Sequence, residues 1–220
     1  MRLPEFALLF ALSGICGVAN ADPIDLKPFR ATYTAEWKGI TAAQSVIELT
    51  RSGDDSYTYS SVNTARGMFR MAFPDAMTQI STFKLIDGRV VPLTFRGADE
   101  KERPIKLDFN WLTKRVTGIA KEHVVGLDLP DGAQDAMSLQ IASLRNLASG
   151  NLHGNVWMID ADKLKEYELH LEGKARIDTE LGELDTVIYS SNRPNSDRLT
   201  RTWVAPAVID SDDVPRLCCA

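Results

Sequence analysis

Apolar and polar positions alternate from the first strand-like segment onward. Phe29, Ala31, Tyr33, Ala35 and Trp37 are separated by Arg30, Thr32, Thr34, Glu36 and Lys38, a period of two that predicts a strand with one apolar and one polar face. Gly39 ends it, and a second strand is expected from Ala43 to Thr50, with Ser45, Ile47 and Leu49 on one side. Ser52-Gly53-Asp54-Asp55 is turn chemistry, and Tyr57 to Asn63 returns to β-favouring residues. Thr78–Ile86 and Arg89–Phe95 flank Asp87-Gly88, a dipeptide whose readiness for positive φ specifies a tight hairpin. Lys106–Trp111 and Arg115–Lys121 read as another hairpin, turning at Leu112-Thr113-Lys114. Asn155–Asp160, Glu166–Glu172, Lys174–Thr179, Leu184–Ser191 and Leu199–Val204 complete the expected strands.

One segment changes period. Asp135 is placed to cap, Met137, Ile141, Leu144 and Ala148 fall at helical spacing, and Gly150 lies past the end, which predicts a helix over Met137–Ala148. Turns recur about every ten residues, the rhythm of an antiparallel meander. The expected fold is therefore mostly β: a curved antiparallel sheet forming a barrel or half-barrel, with one amphipathic helix packed on it. No internal repeat or linker divides residues 22–220, so they are read as a single domain. Asp99-Glu100-Lys101-Glu102-Arg103 reads as a solvated loop, and Leu127–Gly132 as a turn-rich loop leading into the helix.

Residues 1–21 stand apart. Arg2 precedes an apolar run from Phe6 to Val18, interrupted by Ser13 and Gly14, and Ala19-Asn20-Ala21 presents small residues at the spacing of signal peptidase. The expectation is a cleaved signal peptide, cut after Ala21, and a periplasmic mature protein. The run is shorter than the roughly 20 apolar residues needed to span a bilayer, and no later segment qualifies. Ile15, bulky and β-branched, precedes Cys16 where a lipoprotein signal has a small residue.

Charge narrows the partners. A formal net charge of -5 and a pI near 5.3 exclude a basic footprint for nucleic acid. Beyond Cys16 only the adjacent Cys218 and Cys219 remain. Neighbouring α-carbons lie about 3.8 Å apart, closer than the ~4.4 Å at which disulfides begin, so the fold is not built on disulfides.

Catalytic chemistry is not legible. His123, His153 and His170 make no i, i+3 or i, i+4 pair, and Asp160-Ala161-Asp162 reads as a turn, so no metal site is expected. There is no Gly-x-Ser-x-Gly elbow and no phosphate-binding glycine loop. Ser138, inside the helix, should bond back to the chain, and Asp135 is better explained as its cap than as a general base. Glu180 and Glu183 read as an exposed turn. No cofactor is called for.

The segment from Gly67 to Met77 is the most distinctive. It holds Met68, Met71 and Met77 of the six methionines, together with Phe69 and Phe73. Thioethers beside aromatic rings make an adaptable apolar surface. Met68, Phe69, Met71 and Phe73 are therefore read as a lip at the mouth of the curved sheet accepting an apolar ligand, with plugging of the barrel end as ordinary core the alternative. Trp37 and Trp111 belong either to the same lining or to the core.

Phe29-Arg30-Ala31-Thr32-Tyr33 with Trp37-Lys38-Gly39-Ile40, Gln134-Asp135-Ala136-Met137-Ser138-Leu139, Thr179-Glu180-Leu181-Gly182 and Trp203-Val204-Ala205-Pro206, in that order, resemble the bacterial family called domain of unknown function 3108, over nearly all of the mature chain. The resemblance implies an exported, β-rich protein of Gram-negative bacteria and carries over no catalytic residues. After Pro206 the chain departs from it: the acidic Ala207–Pro215 stretch and Cys218-Cys219 are poor strand material, read as a frameshift or divergent end from about residue 207. Three functions remain open. They are a non-catalytic periplasmic carrier of an apolar, lipid-like molecule, an envelope assembly factor binding another protein, and a hydrolase without a recognisable motif.

Overall fold

The computed structural model describes residues 26–98, 103–148, 154–179, 182–194, 196–197, 199–205 and 217–219. The leader with its cut after Ala21, the charge run at 99–102, Gly150, His153, Glu180, Leu181 and residues 206–216 of the tail lie outside the described residues.

Eight consecutive strands form one antiparallel meander: β1 (Phe29–Trp37), β2 (Ile40–Gly53), β3 (Ser56–Ala65), β4 (Met77–Ile86), β5 (Arg89–Ala98), β6 (Pro104–Asn110), β7 (Arg115–Ala120) and β8 (His123–Asp128). A short 3-10 helix, Gly67–Met71, joins β3 to β4. The chain then passes through β9 (Gln134–Asp135) into helix α1 (Ser138–Ala148). A second sheet follows, of β10 (Gly154–Asp160), β11 (Lys163–Thr179), β12 (Gly182–Asn192) and β13 (Leu199–Val204), with β9 at its edge. The first sheet does not close on itself; β8 is its last strand at one edge. Of the barrel and half-barrel expected, the half-barrel is found.

Tight turns follow φ. Lys38-Gly39 and Asp87-Gly88 both take positive φ at both positions, the geometry that matches strand twist across a two-residue hairpin loop. Because the strands alternate in direction, the β1–β2 turn, the 3-10 helix and the β7–β8 turn share one end of the sheet, here called upper. The β2–β3, β4–β5 and β6–β7 turns share the other.

Cross-strand partners share a face, which makes the inner surface readable row by row. The row Phe29–Leu49–Tyr59–Ser81–Phe95–Leu107 and the flanking Tyr57–Phe83 pair point inward. Phe83, Leu107 and Val116 are fully buried, each contributing about 1.5–3 kcal/mol through burial of its side chain. Tyr57 stacks on Phe83 with ring centroids 5.5 Å apart. Met137, just before α1, and Ile141 within it pack onto this floor. Over the next two rows the inner face turns polar, with Ser61 paired to Ile47 and then Asn63 paired to Ser45, and Asn63 donates to Ser61 Oγ at 3.2 Å.

Four expectations need correction. His123–Asp128, partly assigned to the loop from Leu127, is strand β8, turned at Lys121-Glu122 with positive φ at both despite the absence of glycine. Glu166–Glu172 and Lys174–Thr179 are one strand, β11, and Gly173 marks a bulge rather than an end. The helix starts one residue later than expected, at Ser138 rather than Met137, and ends at Ala148 as expected. The tail also supplies a strand: β14 (Leu217–Cys219) pairs parallel to Tyr33–Ala35 along the outer edge of β1, as an edge strand invites.

Candidate functional site

Between α1 and the second sheet lies a cleft of roughly 190 Å³. The helix supplies Leu139, Gln140 and Ser143, which at i, i+1 and i+4 fall on one face, and its entry supplies Ala136. Met137 and Ile141, on the opposite face, are buried in the core. The far wall comes from Met158 on β10, Tyr167 and Leu169 on β11, Tyr189 and Ser191 on β12, and Thr202 on β13. Tyr189 pairs across the sheet with both Leu171 and Thr202, which fixes the face it presents.

The cleft's lining contains no carboxylate, lysine, arginine or histidine. Tyr59, on the floor of the first sheet, donates to Gln140 Oε1 at 3.2 Å. Its phenol is pushed far above the ordinary 10, chiefly by burial and then by the neighbouring phenols of Tyr33 and Tyr189. Burial also raises the Tyr189 phenol, against a hydrogen bond with Thr202 that acts the other way. Tyr167 and Tyr189 thus line the cleft directly, and Tyr59 reaches it through Gln140, so phenol groups are in place to orient a ligand by hydrogen bonding.

Helix α1 is held in place by a buried polar knot. Asp135 Oδ1 accepts the N–H groups of Met137 at 2.8 Å and Ser138 at 2.9 Å, while Ser81 Oγ donates to Oδ2 at 2.7 Å. The Ser138 hydroxyl accepts the Asp135 N–H at 2.9 Å, so cap and helix start bind each other reciprocally. Asp135 has no exposed surface. Its environment is that of a cap, as the sequence predicts, and no substrate reaches it. Gln134 beside it donates to Val90 O at 2.9 Å.

The residues singled out from sequence divide between two ends of the molecule. Trp37 and Phe69 meet at the upper end, edge to face, with ring centroids 6.0 Å apart. Met68, Met71 and Phe73 project from the 3-10 helix and its exit, Met71 being 90 % exposed. Reading them as core that plugs the barrel is therefore incorrect. Ile40 and Met77 extend the same exposed group. Trp111 does not join it. It sits at the lower end, packed against the core, and donates its indole N–H to Pro92 O at 2.7 Å. The reason is parity: Trp111 follows β6, which runs downward, whereas Trp37 ends β1, which runs upward.

Among the described residues no three His, Cys, Asp or Glu side chains come together to hold a metal ion. No helix among them is long and apolar enough to cross a membrane. The cleft escaped sequence reading because its tyrosines lie far apart in the chain. The one available signal was that Tyr33 and Tyr59 stand on inward-facing strand positions.

In comparison with solved structures the chain is similar to the crystal structure of a β-barrel-like protein of domain of unknown function DUF1849 from Brucella abortus. The match has 16 % identity and a TM-score of 0.45, over 76 % of this chain and 81 % of that one. Comparison with curated proteins returns no match. The model of a family described as protein of unknown function (DUF3108) matches residues 32–210.

Proposed function

We propose, for a chain that belongs to the DUF3108 family of proteins of unknown function, a non-catalytic carrier role in the periplasm: the cleft between α1 and the second sheet takes the apolar part of an amphiphilic ligand. The carrying observation is the composition of that cleft, with Leu139, Met158 and Leu169 as walls and the phenols of Tyr167 and Tyr189 among them. Such a pairing of dry surface with a few convergent hydrogen-bonding groups is what small-molecule sites share.

Volume sets the ligand. An apolar cavity of about 150 Å³ admits benzene, so roughly 190 Å³ holds one ring or a short alkyl stretch and not a whole diacyl lipid. The remaining, more polar part of the ligand runs upward along β3, where Ser61 and Asn63 follow Tyr59 on the inner face.

Native mass spectrometry of protein recovered gently from its own envelope fraction tests it. The expected result is a reproducible extra mass, lost in Leu139→Trp, whose indole fills the cleft while the melting temperature stays within a few degrees. Bare protein in every preparation overturns the reading. N-terminal sequencing of the same material should begin at Asp22, and recovery of uncleaved chain in the cytoplasmic fraction would overturn the periplasmic assignment.

A further inference from the structure

The upper tip of the first sheet carries a second surface that the cleft does not use. Trp37 and Ile40 flank the β1–β2 turn, and Met68, Phe69, Met71 and Phe73 project from the 3-10 helix beside it. Trp37 and Ile40 are the last cross-strand pair before that turn, and the 3-10 helix starts beside it, where Arg66 N–H donates to Ala42 O at 2.8 Å.

Three observations specify what covers it. The first is charge. Residues 37–40 and 66–73 contain Lys38, Arg66 and Arg70 and no carboxylate, in a chain whose net charge is -5; Glu36 and Asp75 stand just outside. All three cations are exposed, and Lys38 Nζ lies 4.7 Å from the centre of the Trp37 ring. The second is the backbone. Phe69 N–H donates to Arg66 O, and Ala72 and Phe73 N–H donate to Phe69 O, at 3.0–3.1 Å. The 3-10 turn thus pairs its own polar groups, which entry into a medium without water demands. The third is residue type. An indole edge to face with Phe69, exposed methionines and Phe73 on the neighbouring segment, and long cationic side chains among them match the depth profile of a bilayer interface: apolar groups inward, the amphipathic ring at headgroup level, cations at the phosphates.

We infer that this tip is a membrane-contact element that docks on an anionic phospholipid surface, with Met68, Met71 and Phe73 entering the acyl boundary and Lys38, Arg66 and Arg70 facing the headgroup phosphates. The inference does not depend on what the cleft holds.

Flotation with vesicles tests it, using protein purified from its own cells with its N-terminus sequenced, so that no apolar leader contributes. Vesicles of phosphatidylethanolamine and phosphatidylglycerol should carry the protein upward, and vesicles of phosphatidylcholine alone should carry at least fivefold less. The combined Met68→Ser, Met71→Ser and Phe73→Ser variant should lose at least tenfold in partitioning with an unchanged melting temperature, because these side chains are exposed. Lys38→Glu with Arg70→Glu should abolish the preference for the anionic vesicles. The cleft-filled Leu139→Trp variant should float like the parent, which separates this surface from the ligand site. The inference is overturned if the parent ignores both vesicle types, or if the triple serine variant floats equally well. It is also overturned if the tip binds one envelope protein stoichiometrically while leaving vesicles alone.

Discussion

Gly118→Ala should cost about 4 kcal/mol or more, enough to leave little folded protein, since losses of that size are exceptional for one methyl group and mark a backbone that cannot give way. Gly118 on β7 faces Leu107 on β6. A Cβ built on it would stand 1.9 Å from the carbonyl oxygen of Lys106 and 2.9 Å from its carbonyl carbon, at a φ of +153° that L-residues rarely adopt. The obstacle is the main chain of the neighbouring strand, so no rotamer change relieves it. Relief requires β6 and β7 to separate, which exposes Leu107 and Val116, both fully buried. Urea denaturation and soluble yield measure the effect. A loss below about 1 kcal/mol, the ordinary size for a point mutant, would mean that the two strands do not approach this closely.

The second large effect concerns Asp135. Substitution by alanine removes a helix cap, about 0.5–2 kcal/mol. It also leaves the buried Ser81 hydroxyl without its acceptor, about 1–3 kcal/mol. A total near 3 kcal/mol is therefore expected for Asp135→Ala. Asparagine keeps the oxygen that accepts the N–H groups of Met137 and Ser138, and the Ser81 hydroxyl can turn to accept from its amide, so Asp135→Asn should cost under about 1 kcal/mol. The acid also leaves a pH signature. Burial raises its carboxyl above the ordinary 3.8, outweighing the opposing hydrogen bonds from Ser138, Ser81 and Met137. Above that value the unfolded chain has released a proton that the folded protein retains, so the stabilisation from Asp135 is complete below about pH 4 and declines as pH rises through the elevated pKa. Denaturation of the parent and Asp135→Asn from pH 4 to pH 8 should show this slope in the parent and its loss in the variant. An unchanged slope would rule Asp135 out as its source.

Much of the fold is legible where turn chemistry and period two agree. Asp87-Gly88 and Lys38-Gly39 both place glycine where positive φ is needed, and both hairpins follow from the residues. The β7–β8 hairpin does not, because Lys121 and Glu122 adopt positive φ without glycine, and no local signal marks the turn. A contact distant in sequence accompanies it: Lys121 bonds Asp162 at 2.9 Å, tying that turn to the turn between β10 and β11. Gly173 misleads for the opposite reason. It breaks the β pattern yet sits in a bulge within continuous β11. At the sites, composition draws attention to the methionine–phenylalanine segment but cannot say which way it faces. Trp37 and Trp111 look equivalent as residues and are separated only by strand direction. The tyrosine-lined cleft needs two sheets and a helix in place before its walls exist.

Helix α1 presents two independent faces, and this bears on how such a scaffold diversifies. Ile141, with Met137 of the entry, carries the packing on one side, while Leu139, Gln140 and Ser143, with Ala136 of the entry, line the cleft on the other. Changing any of the latter four alters the room available without touching a β-ladder or the Asp135 knot. The inheritance of a stable sheet and the retuning of a cavity can therefore proceed by separate mutations. The first step toward a larger or smaller occupant is one residue on a single helical face.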